Sequence, residues 1–226
     1  MSNMYGCGLL PMGTRSQRSV AFDTGDGTLR GELRIPTDAT DIIVAVSGNC
    51  GVSNASTESA LADRLFEQGI GSLLVDLLTP VEAVDRSNCK DTDLLCDRLD
   101  SITAWLDQQD STADLDLGFY GTETGGAAVL QFVNRTSRSV SALALRNGRI
   151  DLAEDVPGEL HIPVFCSVDE YRDFPATVNQ ELYEVLYKDQ AHTRLLLADR
   201  ETDVVGRTVE WFDRYLSRAE TSPKEA

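Results

Sequence analysis

Basic residues are scarce in this chain of 226 residues. It has 20 Lys and Arg against 37 Asp and Glu, which gives a formal net charge of -17 at pH 7. Nucleic acids and anionic membranes both attract positively charged surfaces, so the composition argues against both as partners. The carboxylates are scattered along the sequence. This pattern indicates a solvated acidic surface, or an adaptation to high salt, in which ions screen the self-repulsion.

Long apolar runs and paired cysteine motifs are also missing. No stretch approaches the roughly 20 apolar residues that span a bilayer, and the opening MSNMYGCGLLPMG lacks the basic and apolar regions of a secretory signal. The five cysteines are irregularly spaced and include no CxxC, so neither a zinc site nor a redox pair is expected. We therefore expect a cytoplasmic protein with reduced thiols, and we expect no metal and no cofactor.

Strand and helix patterns alternate regularly along the chain. Alternating apolar residues on both sides of Gly25-Asp26-Gly27 predict a hairpin. The continuous apolar run at 41–46 is typical of a strand that is covered on both faces. Further strands are predicted at 72–75, 115–120, 139–145, 162–168 and 193–198, and helices at 56–68, 92–106, 125–134, 175–187 and 204–216. The pattern predicts an α/β fold, with a mostly parallel sheet, an N-terminal antiparallel hairpin and helices on both faces.

We predict one domain, because the sequence contains no internal repeat and no linker. Residues 1–17 are predicted to be a flexible N-terminal segment, 18–218 a single domain and 219–226 a flexible tail. Ligands of parallel sheets bind beyond the carboxyl ends of the strands. The segments that follow the predicted strands are therefore the place to look for a site.

Four such segments carry a resemblance. In GFYGTETGG an apolar strand runs into a turn at Glu123 and then into a helix of small residues, and the arrangement resembles the nucleophile elbow G-x-S-x-G. AVSGNCG resembles a loop that helps to form an oxyanion hole. PVFCSVDE and LLLADRETD resemble the strands that present the acid and the histidine of a catalytic triad. Together they resemble the α/β-hydrolase fold, and within it the dienelactone-hydrolase-like group.

The resemblance implies a nucleophile at position 123, a triad acid at 169 and a triad histidine near 200. In this chain those positions hold Glu123, Asp169 and Arg200, so that only the acid keeps its expected type. An arginine stays protonated in proteins and is not a general base. The resemblance also implies an oxyanion-type loop formed by Gly48, Asn49, Cys50 and Thr124.

Histidine offers no substitute base. The chain contains two, His161 and His192, and each precedes a predicted strand. That position is at the end of the sheet opposite the site, so we expect neither residue to be catalytic.

Three functions remain open on these residues. The favoured hypothesis is a family member without Ser/Cys-His-Asp hydrolysis, a pseudoenzyme, that binds a small ligand or a partner. Glu123, Arg200 and Asp169 would then form an ionic network in place of the triad. The alternative is an active ester or lactone hydrolase that uses Glu123 and Asp169 with a water molecule. The third is a scaffold subunit, and the sequence does not predict the oligomeric state.

Two further residues end predicted strands and are candidates for ligand binding. Arg146 begins RNGRIDL, which resembles a segment of the same group, and its guanidinium suits a carboxylate or phosphate. Pairing with a neighbouring acidic residue is the alternative for Arg146. Asp76 lies at the predicted crevice, where the alternative is that it braces a loop.

Overall fold

An eight-stranded sheet organises the chain. A computed structural model describes residues 16–25, 27–48, 55–153, 160–170, 177–181, 184, 193–199 and 202–216. Its strands are β1 Ser16–Asp23, β2 Thr28–Ile35, β3 Asp41–Ser47, β4 Gly71–Asp76, β5 Asp116–Thr122, β6 Ala142–Arg146, β7 Val164–Asp169 and β8 Thr193–Ala198. Its helices include α1 Ala55–Glu67, α2 Thr92–Asp107, α3 Thr124–Arg135 and α4 Val204–Leu216. Residues 177–181 are also helical, and short 3-10 turns occur at Glu82–Val84, Asn88–Lys90 and Ile150–Leu152.

The strands run in the order β1-β2-β4-β3-β5-β6-β7-β8. The pairs β1–β2 and β2–β4 are antiparallel, and every other neighbouring pair is parallel. The predicted fold class is therefore confirmed, including the N-terminal antiparallel hairpin. Because β3 to β8 are parallel, their carboxyl ends meet along one edge, and the polar segments that follow them are brought together there.

Helices cover both faces of the sheet. The larger apolar core lies on the face of α2 and α3, where Phe119 and Phe132 meet edge to face at 5.5 Å between ring centroids. The smaller core lies on the face of α1 and α4, where Phe165 stacks on Trp211 at 5.7 Å. Every residue of β3 is buried, which accounts for its uninterrupted apolar sequence.

Several element boundaries differ from the sequence prediction. Strand β1 begins at Ser16, which pairs with Ile35, so the hairpin starts two residues before position 18, where the predicted domain begins. Strand β6 begins at Ala142, three residues after the predicted start. In the connection before β6, Arg138 contacts Asp107 and the Leu115 carbonyl. The predicted helix at 175–187 is described only in part, and the predicted tail at 219–226 lies outside the described residues.

Strand β5 and helix α3 approach so closely that side chains are excluded between them. A Cβ atom on Gly121 would lie 2.7 Å from Gly126 Cα, and one on Gly125 would lie 2.9 Å from the Val46 carbonyl oxygen. Both obstacles are backbone atoms, which do not move aside as a flexible side chain does. Glycine at these two positions is thus what allows the sheet to turn directly into α3.

Gly121→Ala tests this close approach. We expect the substitution to lower the free energy of unfolding by about 1–3 kcal/mol, because the added methyl group must displace the backbone of α3. Gly27→Ala is the matched control, since its Cβ would lie 3.8 Å from Thr79 Cγ2 and meet nothing closer. Urea denaturation measures both variants, and equal stability of the two would contradict the packing described here.

Candidate active site

The turn from β5 to α3 has a strained backbone at Glu123. This residue has φ 51° and ψ -123°, in the left-handed half of conformational space that side chains other than glycine rarely enter. Such a conformation costs about 1–3 kcal/mol and persists where the surroundings enforce it. Glu123 is half-buried and immediately precedes the first residue of α3. The elbow predicted from the sequence is therefore present in the backbone.

Neighbouring segments hold this elbow by its main chain. The Glu123 N–H donates to the Arg146 carbonyl at 3.2 Å, and its own carbonyl accepts from the N–H groups of Arg149 at 2.9 Å and Gly126 at 3.1 Å. The start of the loop after β3 lies against the same turn, since a Cβ on Gly48 would lie 1.7 Å from Thr124 Oγ1. The structure thus brings together Gly48 and Thr124, two of the four residues of the predicted oxyanion-type loop.

The predicted triad acid is bound by residues that follow β6. Asp169 ends β7 and is 7% exposed. One of its oxygens accepts from Asn147 Nδ2 at 2.8 Å, and the other lies 3.4 Å from Arg146 Nη2. The Asp169 N–H donates to Asn147 Oδ1 at 3.0 Å. Asn147 therefore holds Asp169 by two hydrogen bonds. Its own backbone is in the left-handed region, with φ 49°.

Arg146 connects Asp169 to a buried phenol. Its guanidinium donates to the hydroxyl of Tyr120, and burial raises the pKa of Tyr120 to about 12, so the phenol is neutral. Burial opposes the charge of Arg146, but Tyr120 and Asp169 outweigh it and raise the pKa of the guanidinium. Arg146 is consequently a fixed cation at the carboxyl end of the parallel strands. It pairs with the acidic residue Asp169, which was the alternative to ligand binding in the sequence analysis.

A line of polar side chains crosses the carboxyl ends of five parallel strands. We call it the polar row, and it consists of Asp76, Ser47, Thr122, Arg146 and Ser167, which are successive register partners across the sheet. The residues two positions earlier pack in the core under α1 and α4, so the row lies on that face. Ser47 Oγ donates to Asp76 Oδ1 at 2.5 Å. On the face of α1 and α4, the apolar sheet therefore ends in the polar row.

The side chain of Glu58, in the first turn of α1, contacts the polar row. Thr122 Oγ1 donates to its carboxylate at 3.4 Å. Burial, together with the negative charge of Asp76, raises the pKa of Glu58, and the hydrogen bond from Thr122 and the charge of Arg146 oppose that rise. Sequence reasoning did not identify this role, because a glutamate in a first helical turn is ordinarily explained by the helix dipole.

Two cavities flank the first turn of α1. The first, which we call the α4 cavity, has a volume of about 350 Å³ and is lined by Thr57, Arg146, Asp169, Asp199, Thr202 and Asp203, with Val204 and Val205. The second has a volume of about 510 Å³ and is lined mainly by Arg30, Glu32, Arg34, Glu58 and Asp76. The candidate ligand-binding residues Arg146 and Asp76 therefore line different cavities.

Several predicted site residues remain untested. Arg200, Asn49, Cys50 and His192 lie outside the described residues, so the network of Glu123, Arg200 and Asp169 stays a prediction. His161 is exposed and precedes β7, at the amino end of the parallel strands. Sequence reasoning missed Asn147, although asparagine followed by glycine after a strand is a signal for a left-handed backbone.

Other kinds of site can be judged only within the described part of the chain. There, no group of three or more His, Cys, Asp or Glu residues is arranged to hold a metal ion. No described helix combines the length and apolar character needed to cross a bilayer. Cys89, Cys96 and Cys166 are buried. Burial raises the pKa of both Cys96 and Cys166 to about 12, which disfavours the nucleophilic thiolate.

Glu58→Gln tests the raised pKa of Glu58 beside the polar row. Folding raises the pKa of Glu58, so the ionised carboxylate destabilises the folded state. This loss of folding free energy is absent well below the pKa of the unfolded state, and it grows as pH rises through the pKa of the folded state. We therefore expect Glu58→Gln to become more stable relative to the wild type between pH 4 and pH 8. Urea denaturation across this range measures the difference. Glu210→Gln, at an exposed position on α4, serves as the control, and a difference for Glu58→Gln that does not change with pH would contradict the assignment.

Proteins similar to this chain are found among curated sequences and among solved structures. No family model matches the chain. It is 33% identical over 162 residues to a putative phosphoribosyl transferase of Mycobacterium tuberculosis, found in two strains, and the alignment covers 72% of this chain and 37% of each relative. The chain thus spans little more than a third of the length of these curated relatives.

Solved structures match over nearly their whole length. A dienelactone hydrolase from Anabaena variabilis is 30% identical with a TM-score of 0.79, over 89% of this chain and 99% of that one. An α/β serine hydrolase without a lid from Xanthomonas campestris is 15% identical with a TM-score of 0.68, over 92% and 98%, which supports the fold alone. On the first of these similarities, the chain belongs to the dienelactone hydrolase family of α/β hydrolases.

Proposed function

We propose that this chain is a ligand-binding member of its family that does not perform hydrolysis through a Ser/Cys-His-Asp triad. The observation that carries the proposal is Glu123 at the strained turn between β5 and α3, the position that the family resemblance assigns to the nucleophile. An acyl-enzyme mechanism needs a hydroxyl or thiol there, and a base that takes up its proton and later returns it. The glutamate supplies neither a hydroxyl nor a thiol, and Arg200, at the position that the resemblance assigns to the histidine, is not a general base.

The environment of Asp169 supports the same proposal. In a triad, the acid accepts a hydrogen bond from the imidazole and stabilises the imidazolium that forms. Here Asn147 and Arg146 already occupy the two carboxylate oxygens of Asp169. A guanidinium beside the carboxylate neutralises the charge that an imidazolium would need.

The inherited crevice supports a binding role. The α4 cavity opens beside the carboxyl ends of β6 and β7, where ligands of open α/β sheets bind. The second cavity lies over β1 and β2 and reaches the carboxyl end of β4 at Asp76. Arg146 and Asp169 give the α4 cavity a hydrogen-bond donor and an acceptor. A small molecule can therefore be recognised here although the acyl-transfer residues are changed.

One observation favours a second function, the hydrolysis of an ester or lactone by an activated water molecule. Glu123 stands at the amino end of α3, where the helix dipole stabilises a negative charge. A carboxylate at that point is able to orient and deprotonate water, and Asp169 is the second acidic residue that this hypothesis uses. This function does not require a serine, a thiol or a histidine.

A substrate and ligand panel separates these two functions. The panel combines esters and lactones with phosphoribosyl compounds, which are included because the mycobacterial relatives are named putative phosphoribosyl transferases. For the wild type we expect binding of a panel compound without turnover above background, measured by calorimetry and by product formation. Turnover that is lost in Glu123→Gln and kept in Glu210→Gln would contradict the proposal and support water-mediated hydrolysis.

We also propose a reducing, cytoplasmic setting and an adaptation to high salt, both on the composition. With a net charge of -17, self-repulsion destabilises the folded chain at low ionic strength and is screened as salt is added. We expect the melting temperature to rise between low and molar potassium chloride. A melting temperature that stays constant or falls over this range would contradict the salt proposal and leave the ligand proposal untouched.

A further inference from the structure

We draw no further inference here: the strongest candidate, the cavity formed by α1, the hairpin of β1 and β2 and the end of β4, is an open groove whose residues Glu58 and Asp76 belong to the site already described, and nothing in the described part of the chain shows which ligand it would take.

Discussion

The strained turn at Glu123 is the constraint on which the site depends. A strand that turns directly into a helix brings β5, α3 and Gly48, which follows β3, within contact of one another, and this excludes Cβ atoms at Gly48, Gly121 and Gly125. The main chain of the turn is then tied to the segment that follows β6. The geometry of a nucleophile elbow is thus kept by packing and main-chain hydrogen bonds, which do not depend on the side chain at position 123.

The side chains around this retained frame form a different electrostatic arrangement from that of a triad. Arg146 stands between Asp169 and the hydroxyl of Tyr120, and Asn147 holds the second oxygen of Asp169. A guanidinium is a permanent cation, so Arg146 keeps its charge beside Asp169. Arg146 and Asp169 line the α4 cavity, and Asp76 lines the second cavity. Under the proposed function, the family supplies the fold and the side chains of the site supply the chemistry.

The sequence predicted the frame well because the frame is encoded in local patterns. The apolar run of β3 and the small residues of α3 indicated their environments directly, and β8 and α4 have the predicted bounds, 193–198 and 204–216. The pairings within the site were harder to predict, because they depend on the register between strands. Arg146 reaches Asp169 only because β6 and β7 are neighbours, and Glu58 reaches Thr122 only because α1 crosses the end of β5. No local pattern encodes such distances.

Intact-protein mass spectrometry during incubation with the esters and lactones of the panel tests the central claim most directly. If the elbow retains its geometry without acyl-enzyme chemistry, the protein mass stays unchanged at every time point, and peptide mapping finds no modified residue in the crevice. An acyl adduct that forms and decays during turnover, mapped to Glu123 or to a serine or cysteine beside it, would contradict this account.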